Sequence, residues 1–223
     1  MPVAKRKHRS NPEWIRRHVT DPFVKAAAQH GYRSRAAYKL IGIDDKDRLF
    51  RPGQTVVDLG AAPGSWTQVV HQRLKTKSGE FRGRIVALDI LPMEALTDVT
   101  FIEGDFHEQA VERQLVSALG GQPADVVLSD ISPNLSGIAA SDAARSLHLA
   151  ELAFDFACAH LQRDGVFLVK VFQGSGFSQY VERLKTAFVS VASRKPAASR
   201  AESAETYLLA RGLKQGRSST ARP

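Results

Sequence analysis

The most unusual ionisable side chain in this sequence is Lys170, which stands inside the apolar segment 166–172. A buried ammonium group is costly unless a carboxylate or water meets it, so Lys170 needs an acidic partner or a place near the end of its strand. Asp130 follows another apolar segment and precedes Pro133-Asn134. Lys170 and Asp130 are therefore candidates for a reaction site.

The segment 56–66 predicts a ligand-binding turn between a strand and a helix. Asp58 ends the strand, Gly60 follows two residues later and Pro63-Gly64 opens the helix, so little side-chain bulk separates a ligand from the backbone. Dinucleotide-binding turns carry G-x-G-x-x-G and face a pyrophosphate, which Asp58 would repel. A carboxylate tolerates the cationic ammonium and sulfonium groups of S-adenosyl-L-methionine much better. The alternative interpretation is a tight turn that binds no ligand.

Two more acids follow predicted strands and could bind the rest of such a cofactor. Asp89 ends the strand 84–89, where an acid can accept hydrogen bonds from both ribose hydroxyls. Asp105 follows the next strand and suits an adenine amino group, although an isolated Asp in a loop is also a common turn residue. Trp66 lies in the first turn of its helix, where an aromatic residue commonly faces the core.

The hydrophobic pattern predicts an α/β scaffold for these residues. The predicted strands cover 55–58, 84–89, 99–102, 125–129, 165–171, 189–192 and 206–210. The predicted helices are one that holds Trp14, Ile15, His18 and Val19, one over 21–30, one that Ser34 caps, and four over 64–74, 109–119, 143–161 and 180–188. Apolar strands separated by helices indicate a mainly parallel sheet with helices on both faces, which binds ligands at the carboxyl ends of its strands.

The chain has 223 residues, of which 43% are hydrophobic, and this length and composition predict a single domain. We expect a basic flexible arm over 1–12, one domain over 13–212 and a basic flexible tail over 213–223. The one cysteine, Cys158, can form neither an internal disulfide nor a thiolate cluster, and its surroundings resemble a buried helix face. No apolar run approaches the ~18 residues that span a bilayer. These features predict a cytoplasmic protein that contacts no membrane.

The charge is distributed unevenly along the chain. Residues 1–51 hold 13 Lys and Arg against five Asp and Glu, residues 52–193 hold 11 against 16, and residues 194–223 hold seven against two. Two basic ends around an acidic middle suggest a polyanion that is docked by the ends, the alternative being two solvated tails. The histidines show no ligand spacing, so we predict no metal site.

Seven motifs, in order over about residues 12–212, resemble the FtsJ/RlmE family of ribosomal RNA 2'-O-ribose methyltransferases. They are 34–40, 58–66, 89–93, 104–106, 129–134, 169–174 and 195–207. The resemblance implies a Rossmann-like class I fold with a seven-stranded sheet, S-adenosyl-L-methionine as methyl donor, and a uridine 2'-hydroxyl of 23S ribosomal RNA in the large subunit as acceptor. Two departures are visible: Ser65 replaces a second glycine after Pro63-Gly64, and the loop 76–83 is long.

The resemblance also implies which residues act. Its Lys-Asp-Lys-Glu tetrad falls on Lys39, Asp130, Lys170 and Glu205. Its cofactor contacts fall on Gly64, Trp66, Asp89, Asp105 and Asp130, to which the turn itself adds Asp58 and Gly60. We expect Lys170 to accept the hydroxyl proton if its neutral form is accessible, Asp130 to orient it, and Lys39 and Glu205 to position the ribose.

RNA contact is expected at the basic ends and on two flanks of the cofactor edge. The first flank holds Arg33, Arg35 and Lys39, and the second holds Arg194, Lys195 and Arg200. We expect the protein to act as a monomer. The competing hypotheses are a non-catalytic RNA-binding or ribosome-assembly protein, a ribose methylase for transfer RNA or a messenger cap, and a nicotinamide oxidoreductase.

Overall fold

The computed structural model describes residues 20–133, 137, 139–200 and 203–214. Its strands are β1 (Thr55–Leu59), β2 (Arg84–Asp89), β3 (Val99–Glu103), β4 (Ala124–Ser129), β5 (Leu161–Phe172), β6 (Phe188–Arg194) and β7 (Glu205–Leu213). They form one sheet in the order β3-β2-β1-β4-β5-β7-β6. The strands β1 to β5 pair in parallel, and β7 runs antiparallel to both β5 and β6. The strand order reverses between β1 and β4, which puts the switch point at the carboxyl end of β1.

Helices cover both faces of the sheet. They are α1 (Pro22–His30), α2 (Ala37–Asp47), α3 (Ser65–Arg73), α4 (Gln109–Ala118), α5 (Ala139–His160) and α6 (Phe177–Ala187). One core cluster joins the sheet to α4, α5 and α6, and a second joins it to α2 and α3. Strand residues alternate between the two: Val57 belongs to the first cluster and Val56 to the second. The prediction of a mainly parallel seven-stranded sheet with helices on both faces is therefore confirmed.

Residues at both ends of the helix α1 determine where it begins and where it ends. The Asp21 carboxylate accepts a hydrogen bond from Phe23 N at 2.9 Å, and Pro22 occupies the first helical position. Gly31 ends the helix in the left-handed region, with φ of 73°. The expected cap of α2 was wrong in detail: Ala36 is the N-cap residue, and Ser34 Oγ accepts from Ala36 N at 3.2 Å in the preceding turn.

Most predicted boundaries agree with the structure to within a few residues. The largest differences surround β5, since α5 begins at Ala139 and β5 already begins at Leu161, directly after the helix ends. The predicted helix around Trp14, the arm 1–12 and nearly all of the tail 213–223 lie outside the described residues. Cys158 is exposed, although its neighbours Phe156 and Ala157 are buried. The reason is that Cys158 lies on the outer side of α5.

The loop 76–83 folds into a short hairpin at the amino ends of the parallel strands. Lys75 and Phe81 form an antiparallel bridge, and Thr76 N donates to Glu80 O at 2.8 Å. No helix in the described part of the chain is long and apolar enough to cross a membrane.

Candidate active site

The parallel strands β1, β4 and β5 bring the predicted reaction residues to one edge of the sheet. Asp130 directly follows β4, and its backbone N donates to Leu59 O at 3.0 Å, which holds it beside the end of β1. Lys170 lies in β5 opposite Tyr207 of β7. The antiparallel return of β7 therefore adds its own side chains to the carboxyl edge.

Lys170 and Asp130 form a buried ion pair. Lys170 Nζ lies 3.1 Å from Asp130 Oδ1 and donates to the Asp130 carbonyl oxygen at 2.7 Å. The Lys170 side chain is 5% exposed. Asp130 thus supplies both a carboxylate and a carbonyl oxygen to the ammonium group, and these two contacts offset the free-energy cost of burying the lysine. The expected acidic partner of Lys170 is thus found.

Lys39 and Glu205 form a second pair across the chain. Lys39 Nζ, from α2, lies 2.7 Å from both carboxylate oxygens of Glu205, the first residue of β7. Ser199 Oγ donates to Glu205 Oε1 at 2.9 Å, so the carboxylate is fixed from two sides. Neither Lys39 nor Glu205 turns to bulk solvent, since their side chains are 16% and 11% exposed.

Tyr207 links the two ion pairs, and sequence reasoning assigned it no role. Its hydroxyl donates to Asp130 Oδ1 at 2.9 Å, and Lys39 Nζ lies 5.9 Å from the centre of its ring. Burial, together with the nearby Asp130 and Glu205 carboxylates, holds the pKa of Tyr207 well above its usual value. The sequence could have indicated a role for Tyr207, because side chains alternate along a strand and Glu205 and Tyr207 therefore lie on the same face of β7.

The turn after β1 approaches other parts of the chain closely at both of its glycines. Gly60 has φ of 78°, and a Cβ there would lie 2.7 Å from Ile131 N. Gly64 has φ of 105°, and a Cβ there would meet the Arg33 guanidinium and lie 2.8 Å from Met93 Sδ. Both positions require glycine, because φ is positive and because a Cβ would collide with a neighbour. The sequence predicted a turn with little side-chain bulk, but the atoms that approach the two glycines belong to the protein itself.

A cavity of about 750 Å³ opens beside this turn at the carboxyl ends of the strands. The predicted residues that line it are Gly60, Asp89, Asp105 and Asp130. Asp89 accepts backbone hydrogen bonds from Ala62 N at 2.9 Å and Leu91 N at 2.8 Å, so its carboxylate is oriented before any ligand arrives. The volume lies within the range of small-molecule and cofactor sites.

Asp105 proves to be both a turn residue and part of the cavity wall. Its Oδ1 accepts from His107 N at 3.0 Å and lies 2.7 Å from His107 Nδ1. These two hydrogen bonds hold the pKa of Asp105 below its usual value. The carboxylate therefore stays ionised and keeps Oδ2 for a donor such as an adenine amino group.

Asp58 is fully buried beneath the turn. Thr67 Oγ1 donates to its Oδ2 at 2.7 Å, while Oδ1 has no hydrogen-bond partner within the described residues. Burial, with the Asp130 and Asp89 carboxylates nearby, raises its pKa to about 7. A buried acceptor without a donor is costly, so a donor or a positive charge above the turn would stabilise it. This fits the cationic amino acid end of S-adenosyl-L-methionine.

Trp66 and Ser65 face the protein rather than the cavity. The Trp66 indole is 2% exposed, donates to Ala36 O at 2.9 Å and packs on Tyr207 at a ring distance of 5.6 Å. Ser65 Oγ lies 2.8 Å from Ser34 Oγ. The serine that replaces a glycine therefore joins α3 to the loop before α2, and its side chain points away from the cavity lining.

The cations expected to contact RNA are largely engaged within the protein. Arg33 donates to Pro63 O at 3.0 Å and Glu94 O at 2.9 Å, and its Nη2 lies 3.4 Å from Ala95 O. The other contacts pair Arg35 with Asp21 at 2.6 Å and with Ala198 O, Arg194 with Asp47 at 2.6 Å, and Lys195 with Ser203 O at 2.8 Å. These side chains are therefore bound to the protein's own carboxylates and carbonyl oxygens.

Comparison with known proteins identifies the relatives of this chain. A model of the FtsJ-like methyltransferase family matches residues 32–213. The ribosomal RNA large subunit methyltransferase E of Ralstonia pickettii is 56% identical over 216 residues, which cover 93% of this chain and 98% of that protein. The protein of the same name from Bordetella petrii is 54% identical over 212 residues, covering 95% and 100%.

Solved structures agree with the fold. A crystal structure of a protein described as a ribosomal RNA methyltransferase from Plasmodium falciparum superposes with a TM-score of 0.71 at 30% identity, covering 82% of this chain and 98% of that one. Human methyltransferase-like protein 13, in complex with SAH, gives 0.50 at 16% identity over 75% of this chain and 76% of that one, a likeness of fold alone.

Proposed function

The chain belongs to the FtsJ-like methyltransferase family, and from this premise we propose that it methylates the 2'-hydroxyl of a uridine in 23S ribosomal RNA with S-adenosyl-L-methionine. One observation carries the proposal: Asp130 lines the cavity and also holds Lys170 and Tyr207. A group bound in the cavity and a hydroxyl bound at Lys170 would therefore meet at a single residue. The names of the relatives support ribosomal RNA of the large subunit as the substrate.

The candidate cofactor site consists of residues that would hold a cation and a nucleoside. Asp130 would supply negative charge beside the turn, and the backbone at Gly60 would let a ligand approach. Asp89 and Asp105 would bind the adenosine. Asp58 lies beneath the turn, where a donor or a cation would stabilise its carboxylate, and Gly64 gives the turn its conformation. Trp66 supports this turn from beneath by packing on Tyr207. When bound, S-adenosyl-L-methionine supplies an electrophilic methyl group on a sulfonium.

Lys170 is the residue that we assign to the acceptor hydroxyl. Its ammonium group meets Asp130 at the carbonyl oxygen and at Oδ1, and an acceptor hydroxyl would take its third donor. In the neutral form the same nitrogen accepts the hydroxyl proton, and in the charged form it stabilises the developing alkoxide. Asp130 fixes Lys170 in place in both cases. The ribose hydroxyl is a poor nucleophile at neutral pH, so one of these effects is required.

Lys39 and Glu205 are assigned to the sugar. The Lys39–Glu205 pair adjoins Tyr207, whose hydroxyl donates to Asp130, so one tyrosine connects both ion pairs. A ribose placed beside this tyrosine would meet a donor from Lys39 and an acceptor from Glu205. Holding the reacting oxygen in line with the methyl group can supply several kcal/mol of the barrier through positioning alone.

The setting of the reaction is part of the proposal. The enzyme acts in the cytoplasm, as a monomer, on the large ribosomal subunit or its precursor. Residues 13–212 form the methyltransferase domain, and the basic segments 1–12 and 213–223 contact RNA through its phosphates. The excess of Lys and Arg in the two ends of the chain supports this arrangement.

Mapping of ribose methylation tests the proposed function directly. Ribosomes from cells with and without the protein are compared for 2'-O-methyl groups along 23S ribosomal RNA, and the purified protein is then given unmodified large subunits and S-adenosyl-L-methionine. We expect one uridine to lose its methyl group in the deficient cells and to regain it in vitro. An unchanged map would overturn the proposal. Methylation of transfer RNA instead would mean that transfer RNA is the substrate.

A further inference from the structure

Two charged segments, 44–51 and 73–82, meet at the end of the sheet opposite the cavity. Each leads into one of two neighbouring parallel strands, because Thr55 of β1 pairs with Arg84 of β2. They are also joined directly, since Gly53 N donates to Arg82 O at 2.7 Å. We call the surface formed by residues 44–51 and 73–82 the amino-edge surface.

Cations dominate this surface. Its two segments hold seven Lys and Arg against four Asp and Glu. Five of the cations are exposed and have no side-chain hydrogen bond or ion pair with another described residue. These five are Lys46, Arg48, Arg51, Lys75 and Lys77.

The acids of the amino-edge surface do not neutralise those five cations, because arginines already hold all four. The pairs are Asp44 and Asp45 with Arg73 at 2.8 and 2.5 Å, Glu80 with Arg82 at 3.1 Å, and Asp47 with Arg194 at 2.6 Å. The surface therefore presents positive charge that the fold itself does not use.

The hairpin holds the backbone at its two lysines in a fixed position. Besides the bridge between Lys75 and Phe81, Gly79 N donates to Thr76 O at 2.9 Å. The Phe81 ring stacks on His71 of α3 at a centroid distance of 4.8 Å. Because the backbone is already ordered, a partner that binds there does not have to bear the entropy cost of fixing it.

An array of unpaired cations on an ordered backbone suits an extended phosphate chain. The strand β1 has five residues and so spans about 17 Å, which separates the amino-edge surface from the reacting ribose. One nucleotide cannot contact both edges. A partner that reaches both must therefore be a large folded RNA or two segments of one.

We propose that the amino-edge surface is a second RNA-contacting surface, which binds the phosphate backbone of a ribosomal RNA segment other than the one whose ribose is methylated. The inference rests on the proposed function for the identity of the RNA. The contact is independent of sequence and is made by Lys and Arg side chains with phosphate oxygens. It adds affinity for the assembled particle without entering the reaction.

The test compares Lys75→Gln/Lys77→Gln with the control Arg113→Gln/Lys185→Gln, which removes two exposed cations elsewhere. Binding to large ribosomal subunits and their methylation are measured from 50 to 200 mM salt. We expect the first variant to raise KM for the subunit about tenfold and to lower the salt slope of binding by about 1 for each phosphate that it no longer neutralises. kcat and the affinity for S-adenosyl-L-methionine stay at the wild-type values.

A short RNA that carries only the acceptor segment separates the two surfaces. It cannot reach the amino edge, so both variants should bind it as the wild type does. Equal KM values and salt slopes for the two variants on the large subunit would overturn the second surface. A wild-type protein that binds subunits but methylates no ribose would instead overturn the proposed function, and the binding comparison would still be measurable.

Discussion

The two edges of the sheet use charge in opposite ways. At the carboxyl edge, Lys170 and Lys39 are each held by a carboxylate, and Arg33 is held by backbone carbonyls. At the amino edge, Lys75 and Lys77 extend from a hairpin without an ion pair among the described residues. The basic residues nearest the reaction site are thus committed to the fold, whereas Lys75 and Lys77 at the opposite edge are available to a partner.

This difference follows from what each edge requires. A reacting ribose and a methyl donor must be aligned, so their surroundings need side chains fixed by paired charges and hydrogen bonds. A phosphate chain needs attraction rather than alignment, and exposed cations provide it at little cost to stability. Substitutions at the two edges should therefore affect different measurements.

The largest effect is expected for Lys170→Ala. Loss of the amine removes the group that meets the hydroxyl proton, and general acid–base groups contribute about 10²- to 10⁴-fold. We expect the single-turnover rate at saturating RNA to fall about 10³-fold. The affinities for S-adenosyl-L-methionine and for the large subunit should remain within about threefold.

Lys185→Ala is the matched control for that variant. Lys185 is exposed and pairs with Glu182 on the surface of α6, so its loss should leave every rate unchanged. If Lys170→Ala kept a near-normal single-turnover rate, the assignment of Lys170 to the hydroxyl would be wrong, and the carboxyl edge would no longer differ from the amino edge in function.

Glu205→Gln should give the next largest effect, about 10²-fold on kcat. It leaves Lys39 charged beside a neutral amide, and breaking such a pair by losing one partner costs about 3 kcal/mol. The double variant Lys39→Met/Glu205→Gln removes both charges, so part of the lost free energy of unfolding should return in urea denaturation. The rate should stay low, since the ribose contacts are still missing. Recovery of the rate with the stability would show a purely structural pair.

The elements that position the site were predictable because their signals are local. Apolar runs located all seven strands, and the lysine inside one of them indicated that an acid must lie nearby, which proved to be Asp130. The prediction of Lys39 and Glu205 needed the family resemblance. No local rule says that a helix residue and a strand residue 166 positions apart will share an ion pair.

The remaining features depend on contacts between distant parts of the chain. Tyr207 connects both pairs through its hydroxyl and its ring, and Arg33 leaves the expected RNA flank to bind three carbonyls. Ser65 meets Ser34 because α3 packs beside the loop before α2. Such arrangements are set by how elements pack, which hydrophobic periodicity does not specify.

Asp58 is the exception at the carboxyl edge, because its Oδ1 lacks a partner in the described structure. Burial disfavours the carboxylate and raises its pKa from the ordinary value of 3.8, which applies to the unfolded chain, to about 7 in the folded protein. Between those two pH values the folded protein holds a proton that the unfolded chain has released. The contribution of Asp58 to the free energy of unfolding therefore falls as pH rises from about 4 to about 7, and it is constant above.

Asp58→Asn should remove this dependence. In the absence of cofactor, we expect the stability of the wild type relative to Asp58→Asn to decrease by about 2 kcal/mol between pH 5 and pH 8. Urea denaturation at the two pH values measures the difference. Parallel pH profiles for the two proteins would mean that the carboxylate finds a donor in the folded state, and Asp58 would then follow the same rule as its neighbours.

The smallest effect is expected for Arg33→Lys, which distinguishes the two edges most directly. A lysine keeps the charge but cannot span the carbonyls of Pro63, Glu94 and Ala95 with a planar fork, so the cofactor turn loses its connection to the segment after β2. We expect the Kd for S-adenosyl-L-methionine, measured by calorimetry, to rise about tenfold, or about 1.4 kcal/mol, with no change in the salt slope of subunit binding. Arg51→Lys, at the amino edge, should leave the cofactor Kd unchanged. If Arg33→Lys instead lowered the salt slope and left the cofactor Kd unchanged, Arg33 would contact RNA, as expected from the sequence, and would not hold the cofactor turn.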